Sequence, residues 1–369
     1  NDFGDGWGTG EEDGAGFTSI PATMRERCSK EDRLQRLANN GGNEQCEEAV
    51  MKALRWIKSK QNPDGSWEAK YKVAMTGFSI LAYLGHCETP NSEEFGDSVT
   101  RGILYLVDKG MKDNGLLRDG SKGHGWVYEH GIATYALAEA YTFCNKLGIN
   151  IPNLDTVTKQ AGDIIMQGQA RSGGWVYSYD TSSNDGDNSV GFWQIQALKA
   201  CKHTGLWEEK DFKETIKKAL GYLEDVQGST GGIGYRGNPT VRPALTAGGV
   251  LAYQMWDKSS HSVVRDGIKF IMKNNTAFDW EEKSSNLYYH YYNAQALINR
   301  GGGDWDEYNE IFRDKLLAAQ NESGSWSRKE PIPHEAGKGP HYDHMLTCLA
   351  TFMLEVYYRF LPATGSRIR

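Results

Sequence analysis

The sequence predicts an all-α fold, an (α/α)6 toroid of six helix-pair repeats. Three observations carry that expectation. A glycine-aromatic mark recurs at Trp67, Trp126, Trp175, Tyr235, Trp280 and Trp326, at intervals of 45 to 60 residues. Such an interval holds two helices and their connections at about 1.5 Å rise per residue. An amphipathic run precedes each mark, and a run that is apolar nearly all round follows it.

In the first unit, residues 46–61 place Val50, Leu54 and Ile57 at i, i+4 and i+7 with Lys and Glu opposite, the pattern of a surface helix with one buried stripe. Its partner, 73–85, is rich in Ala, Gly and Thr, as befits a helix packed closely on several sides. The pairing repeats as 97–110 with 130–143, 154–169 with 189–201, 210–227 with 244–256, 261–274 with 286–298, and 307–320 with 343–358. Charged helices alternating with buried ones are satisfied by an outer ring around an inner ring. Closure is expected over an open stack, because the terminal units are as apolar as the middle ones and an open solenoid needs polar caps. The toroid is expected over 44–361, after a Gly- and acid-rich flexible lead-in and N-terminal extension (1–43) and before a short tail (362–369).

The mark itself reads as a staple between units. In "QNPDGSW" (61–67) and "QNESGSW" (320–326) a glutamine ends the outer helix, where its amide can serve unpaired backbone groups. Glycine then allows the left-handed turn, and the aromatic ring packs on the neighbouring unit.

Composition sets outer bounds. Of 369 residues 39% are hydrophobic and 24% charged, which describes a globular chain. A net charge of −7 without a basic stripe argues against nucleic acid as a partner, and no apolar run reaches the length of a membrane span. The chain starts at Asn1, so either a leader has been removed or the sequence begins inside a longer protein; a signal or anchor before Asn1 would match export or anchoring at the cell envelope. Six cysteines form no CxxC. Cys87, Cys144 and Cys201 fall late in apolar runs and read as buried small hydrophobes, whereas Cys28 and Cys46 flank a polar segment and are a candidate pair in an exported protein.

The stretch "ALRWIKSKQNPDGSW" (53–67) resembles the QW repeat of the terpenoid cyclase and protein prenyltransferase superfamily, and 218–235 and 315–326 are weaker copies. "YEHGIATYALAEAY" (128–141) and "LEVYYRFLP" (354–362) are similar to segments of bacterial prenyltransferase/squalene oxidase repeat proteins. The resemblance covers nearly the whole folded region and implies a toroid with a central cavity that takes an isoprenoid or other apolar ligand. It implies no cofactor.

Candidate chemistry concentrates in "SYDTSSNDGDNSVGFWQ" (178–194), expected at one mouth of the barrel. By resemblance to the DxDD motif of squalene–hopene-type cyclases, Asp187 matches the acid that protonates an alkene or epoxide. Asp185 precedes it, and Asn188 replaces the final acid. The alternative is that Asp187 or Asn188 simply caps the following helix. The same stretch resembles the zinc region of prenyltransferase β subunits, but Ser189 stands at the cysteine position. His344, the match for the histidine ligand, belongs to the opposite wall, so no shared metal is expected. If the inner helices share a polarity, Glu129, His130, Asp187, Asp343 and His344 ring one opening, where helix N-termini favour an anionic group. His124, His290, His341, Arg236 and Arg242 are further polar candidates. Of the aromatics Trp193, Tyr253, Trp256, Tyr288, Tyr289 and Tyr291, three or four are expected to face the cavity and offer ring faces to a carbocation or a sugar.

The reading that results names Asp187, Asp185, His130 and His344 as candidate catalytic residues, and Glu129, Trp193, Tyr288, His290 and Asp343 as ligand contacts. An isoprenoid-binding, cyclase-like toroid leads. The alternatives are a non-catalytic binding scaffold in the cell envelope and a glycan-processing (α/α)6 enzyme, which requires paired carboxylates and stacked aromatics.

Overall fold

The computed structural model describes residues 22–25, 27–120, 125–236, 243–275, 277–333, 335 and 339–359. All regular elements among them are helices. After α1 (Ala22–Arg25) and α2 (Lys30–Asn39), six outer helices alternate with six inner ones. The outer set is α3 (Glu44–Ser59), α5 (Gly96–Lys112), α7 (Leu154–Gln167), α9 (Glu209–Asp225), α11 (Ser262–Asn274) and α13 (Gly302–Ala318). The inner set is α4 (Lys72–Gly85), α6 (Trp126–Lys146), α8 (Asn188–Thr204), α10 (Pro243–Met255), α12 (Leu287–Arg300) and α14 (Pro340–Arg359). Each inner helix packs on the next, and α14 packs on α4, so the ring closes.

The staples are hydrogen-bonded in full. Gln61 Nε2 donates to the carbonyl of Gly65 in its own turn and to that of Ser98 in the next outer helix, each at 2.9 Å. Gln169 does the same to Gly173 (2.7 Å) and Thr215 (2.8 Å), and Gln227 to Gly231 (2.8 Å) and Val263 (3.1 Å). Gln320 bonds Gly324 at 3.0 Å and Ala49 at 2.8 Å, which ties the sixth unit to the first. The indole N–H groups of Trp67, Trp175 and Trp326 cap carbonyls near the ends of their own outer helices, at Ile57 (2.7 Å), Ile165 (2.8 Å) and Leu316 (2.9 Å).

Two marks sit elsewhere than the sequence suggests. In the fourth unit Ile233, not Tyr235, occupies the tryptophan position: it bridges to Gln227, is fully buried, and its N–H donates to Thr246 Oγ1 as that of Trp67 donates to Thr76. In the second unit the buried residue after the left-handed Gly115 is Leu117, while Trp126 begins α6. Spacing counted from aromatic to aromatic had passed over aliphatic residues doing the same job.

The disulfide also differs from the expected pair. Cys28 is joined to Cys87, just past the end of α4, and Cys46 is a buried free thiol in the first turn of α3. The physical reason is placement: the segment through Arg27–Asn40 straps across the end of the ring and lays Cys28 against α4, not α3. Arg33 Nε donates to Glu47 (2.8 Å), and Asn40 is bonded to the Tyr357 carbonyl (3.1 Å) and by the Trp305 indole (2.8 Å). No helix of the described residues is long and apolar enough to cross a membrane.

Candidate functional site at the inner-helix N-termini

First-turn side chains of α6, α8 and α12 meet at one mouth. Asp187 is 1% exposed and caps α8: one carboxylate oxygen accepts the Ser189 N–H at 3.0 Å and the Ser189 hydroxyl. Its other oxygen lies beside the Tyr235 phenol and 3.8 Å from the Arg236 guanidinium. The Tyr235 phenol is close enough that, after burial, the Asp187 charge adds to the upward push on its titration. Four phenols surround the cap. Tyr128 reaches Ser189 Oγ (2.7 Å), Tyr288 donates to the Ser189 carbonyl (2.8 Å), and Tyr177 meets Tyr235 (2.6 Å), with Arg236 over both of the latter rings. Asp185 stays in the approach loop, accepting the Gly186 N–H (3.0 Å).

Beneath this mouth the middle of the axis is packed with rings. Tyr288 meets Tyr292 edge-on at 5.4 Å, Trp193 stacks on Tyr291 at 5.4 Å, and Phe78 and Phe352 close on them from α4 and α14. Trp193, Tyr288 and Tyr291 therefore do face the axis, while Tyr253 turns outward and donates to the Leu220 carbonyl (2.8 Å).

Three other candidates also turn away from the axis. His130 Nδ1 accepts the Leu117 N–H (3.0 Å) and its Nε2 donates to the Ala161 carbonyl (3.1 Å), so it serves the second staple where other units use threonine. His290 donates from Nε2 to the Ser284 carbonyl (2.6 Å) and receives the Tyr308 hydroxyl at Nδ1 (2.8 Å), a strut to the outer ring. Burial pushes both imidazoles down to about 4. Glu129 is buried on the side of outer Tyr105, whose titration is raised by burial first and then by Asp119, Asp64 and Glu129. His124 and Arg242 lie outside the described residues. Asp187 and His344 do not converge, and among the described residues no three His, Cys, Asp or Glu side chains gather as a metal site.

His344 and Asp343 form a second cluster at the seam where α14 meets α4, with a residue the sequence reading missed, Glu68. Ser79 donates its hydroxyl to the Met75 carbonyl (2.9 Å), so the 2.8 Å contact from His344 Nε2 must donate to Ser79 Oγ. Nδ1 is then a buried lone pair with no hydrogen bond, facing Glu68 Oε1 at 3.9 Å. Burial pushes His344 down to about 3, burial and then Asp343 push Glu68 above the usual carboxylate range, and burial raises Asp343. Glu68 and nearby Tyr71 both hold left-handed backbone, φ 64° and 55°, a strain that tends to collect at functional positions. The signal in the sequence was slight: an acid directly after a staple tryptophan.

Comparison with known proteins agrees with this architecture. No family model matches the chain. It is 25% identical over 125 residues to lanosterol synthase ERG7 of Saccharomyces cerevisiae, covering 34% of this chain and 17% of that protein. It is 23% identical over 171 residues to lanosterol synthase erg7A of Aspergillus fumigatus, covering 45% and 22%. The matches thus span about a fifth of those relatives' length. Among solved structures, the GH76A α-1,6-mannanase of Salegentibacter sp. HEL1_6 in complex with α-1,6-mannotriose superposes with a TM-score of 0.60 at 12% identity, over 85% of this chain and 99% of that one. The type II terpene cyclase MstE from Scytonema, in complex with geranylgeranyl dihydroxybenzoate, gives 0.53 at 12% identity, over 85% and 98%. The chain is an (α/α)6 toroid, a fold that the mannanase and the terpene cyclase share.

Proposed function

We propose that the protein binds an apolar, isoprenoid-type ligand at the inner-helix N-terminal mouth. The polar end lies among Asp187, Arg236 and the four phenols, and the body lies against the partly exposed rings of Tyr288, Tyr128 and Tyr177 at the mouth. The observation that carries this reading is the aromatic column directly beneath a buried carboxylate; ring faces suit an unsaturated hydrocarbon. Asp187 serves as an anchor. Its outer oxygen lies 3.8 Å from the Arg236 guanidinium, which can share a polar ligand group with it. A second reading, a glycan held at the seam, is favoured by the paired carboxylates Glu68 and Asp343 beside His344.

Thermal shift with two ligand panels separates them: geranylgeraniol, farnesyl diphosphate and squalene against α-1,6-mannotriose and other oligosaccharides. A ligand at a hundred times its Kd stabilises the fold by about 2.7 kcal/mol. The isoprenoid shift is expected to vanish in Tyr288→Ala and survive in Glu68→Gln. An oligosaccharide shift that vanishes in Glu68→Gln instead establishes the second reading, and silence from both panels overturns both.

A further inference from the structure

At the opposite mouth, where the inner helices end, a cavity of about 220 Å³ opens, room for roughly seven waters. Its walls are charged and deeply buried on one side. Glu139 sits between Arg27 (3.4 Å) and Arg359 (3.5 Å), and Arg359 also pairs with Glu355 (3.2 Å). Burial pushes Glu139 up, but the two guanidiniums more than offset it and hold its carboxyl below the usual range. This side of the cavity is charge-paired.

The other side is not. Gln254, 3% exposed, donates from Nε2 to the Ala296 carbonyl (2.9 Å), leaving Oε1 buried without a donor. Lys199, half-buried, makes no hydrogen bond or ion pair among the described residues; its ammonium lies 5.3 Å above the Trp256 ring. Asp257 lines the same cavity, attracting Lys199 from beyond ion-pair distance, with its backbone left-handed at φ 60°. A buried acceptor without a donor costs about 1–3 kcal/mol, and buried polar groups in folded proteins almost always find partners. A cation and two acceptors lining one cavity describe the negative of a zwitterion.

We propose that this mouth binds a small amino carboxylate, its carboxylate on Lys199 and its ammonium on Gln254 Oε1 and Asp257. The site lies at the far end of the barrel from the apolar-ligand mouth and does not depend on that reading. Arg27, which closes the cavity wall, is carried by the strap that the Cys28–Cys87 disulfide holds in place.

The test is isothermal titration calorimetry on the full chain with L-alanine, L-glutamate and succinate, the last lacking the amine. At least one amino carboxylate is expected to bind, with succinate tenfold weaker or worse. Lys199→Met, which removes no existing polar contact, should weaken binding at least tenfold. Gln254→Leu should erase the preference over succinate, and Tyr288→Ala at the other mouth should leave binding unchanged. The proposal is overturned if the folded wild-type chain binds neither amino acid, water alone filling the cavity, or if Lys199→Met binds as well as wild type. Circular dichroism of each variant separates lost binding from lost fold.

Discussion

One side-chain amide, used four times, decides whether this ring holds. Each staple glutamine donates to two carbonyls in two different units, and Gln320 makes the bond that closes the circle. Gln320→Ala removes both donors and leaves the carbonyls half-buried; a loss of about 1–3 kcal/mol is expected, read as a lower urea midpoint. The glycines make a sharper contrast. Gly173 has φ 97°, and a Cβ there would sit 2.3 Å from the Lys218 carbonyl oxygen. Gly205 has φ 76° with nothing within 4 Å. Gly205→Ala bears only the left-handed penalty, on the order of 1 kcal/mol, whereas Gly173→Ala must also push α9 off its seat and should cost at least about 2–3 kcal/mol. Equal losses in the two variants would show that the contact to α9 gives way freely.

At the scale of elements, the strap before α3 binds by buried ions and a covalent link. Arg33, Glu47, His86 and Glu88 form a continuous buried network next to the disulfide. Replacing Cys28 and Cys87 with serine reopens a loop of 59 residues, worth up to roughly 4 kcal/mol by chain entropy. Thermal unfolding of the double variant, or of reduced protein, checks it. This pairing was beyond the sequence because it depends on where a strap crosses the end of a ring. The helix pairs were legible, since periodicity records which face each helix buries. The staple was legible as chemistry but not as register: Ile233 and Leu117 fill tryptophan positions, and a pattern of aromatics does not show them. His130 and His290 illustrate the same limit. A histidine early in an inner helix reads as a site residue, yet whether it faces the axis or the outer ring turns on about 100° of helix rotation per residue, and both face outward.

For the whole molecule, the buried ionisable groups set a narrow pH optimum. His130, His290 and His344 are pushed by burial to about 4, 4 and 3, against about 6.5 in the unfolded chain. Below pH 6.5 the unfolded chain therefore takes up three protons that the fold refuses, and stability drops as pH falls toward 4. Glu355, raised by burial to about 8, works the other way over part of that range, because the fold keeps its proton while the unfolded carboxylate has lost it. Three protons against one leaves net acid destabilisation. Above pH 6.5 the sign reverses. Burial and Arg33 push His86 down, but Glu47 and Glu88 outweigh them and raise it to about 9. The His86 contribution is fully present below 6.5 and is lost as pH rises through 9, up to roughly 3 kcal/mol. Glu355 loses stability alongside it up to pH 8. The urea midpoint should accordingly peak near pH 6.5 and fall on both sides. His290→Gln should soften the acid limb and leave the alkaline one alone, and His86→Gln should cut the alkaline limb back to the Glu355 part below pH 8, at the cost of a lower peak. If the wild-type alkaline limb stops at pH 8, His86 is neutral in the fold and donates to only one of Glu47 and Glu88. The strap would in that case lose one charged contact and lean more on Arg33–Glu47, Arg27–Glu139 and the disulfide, and reduction should release it more readily.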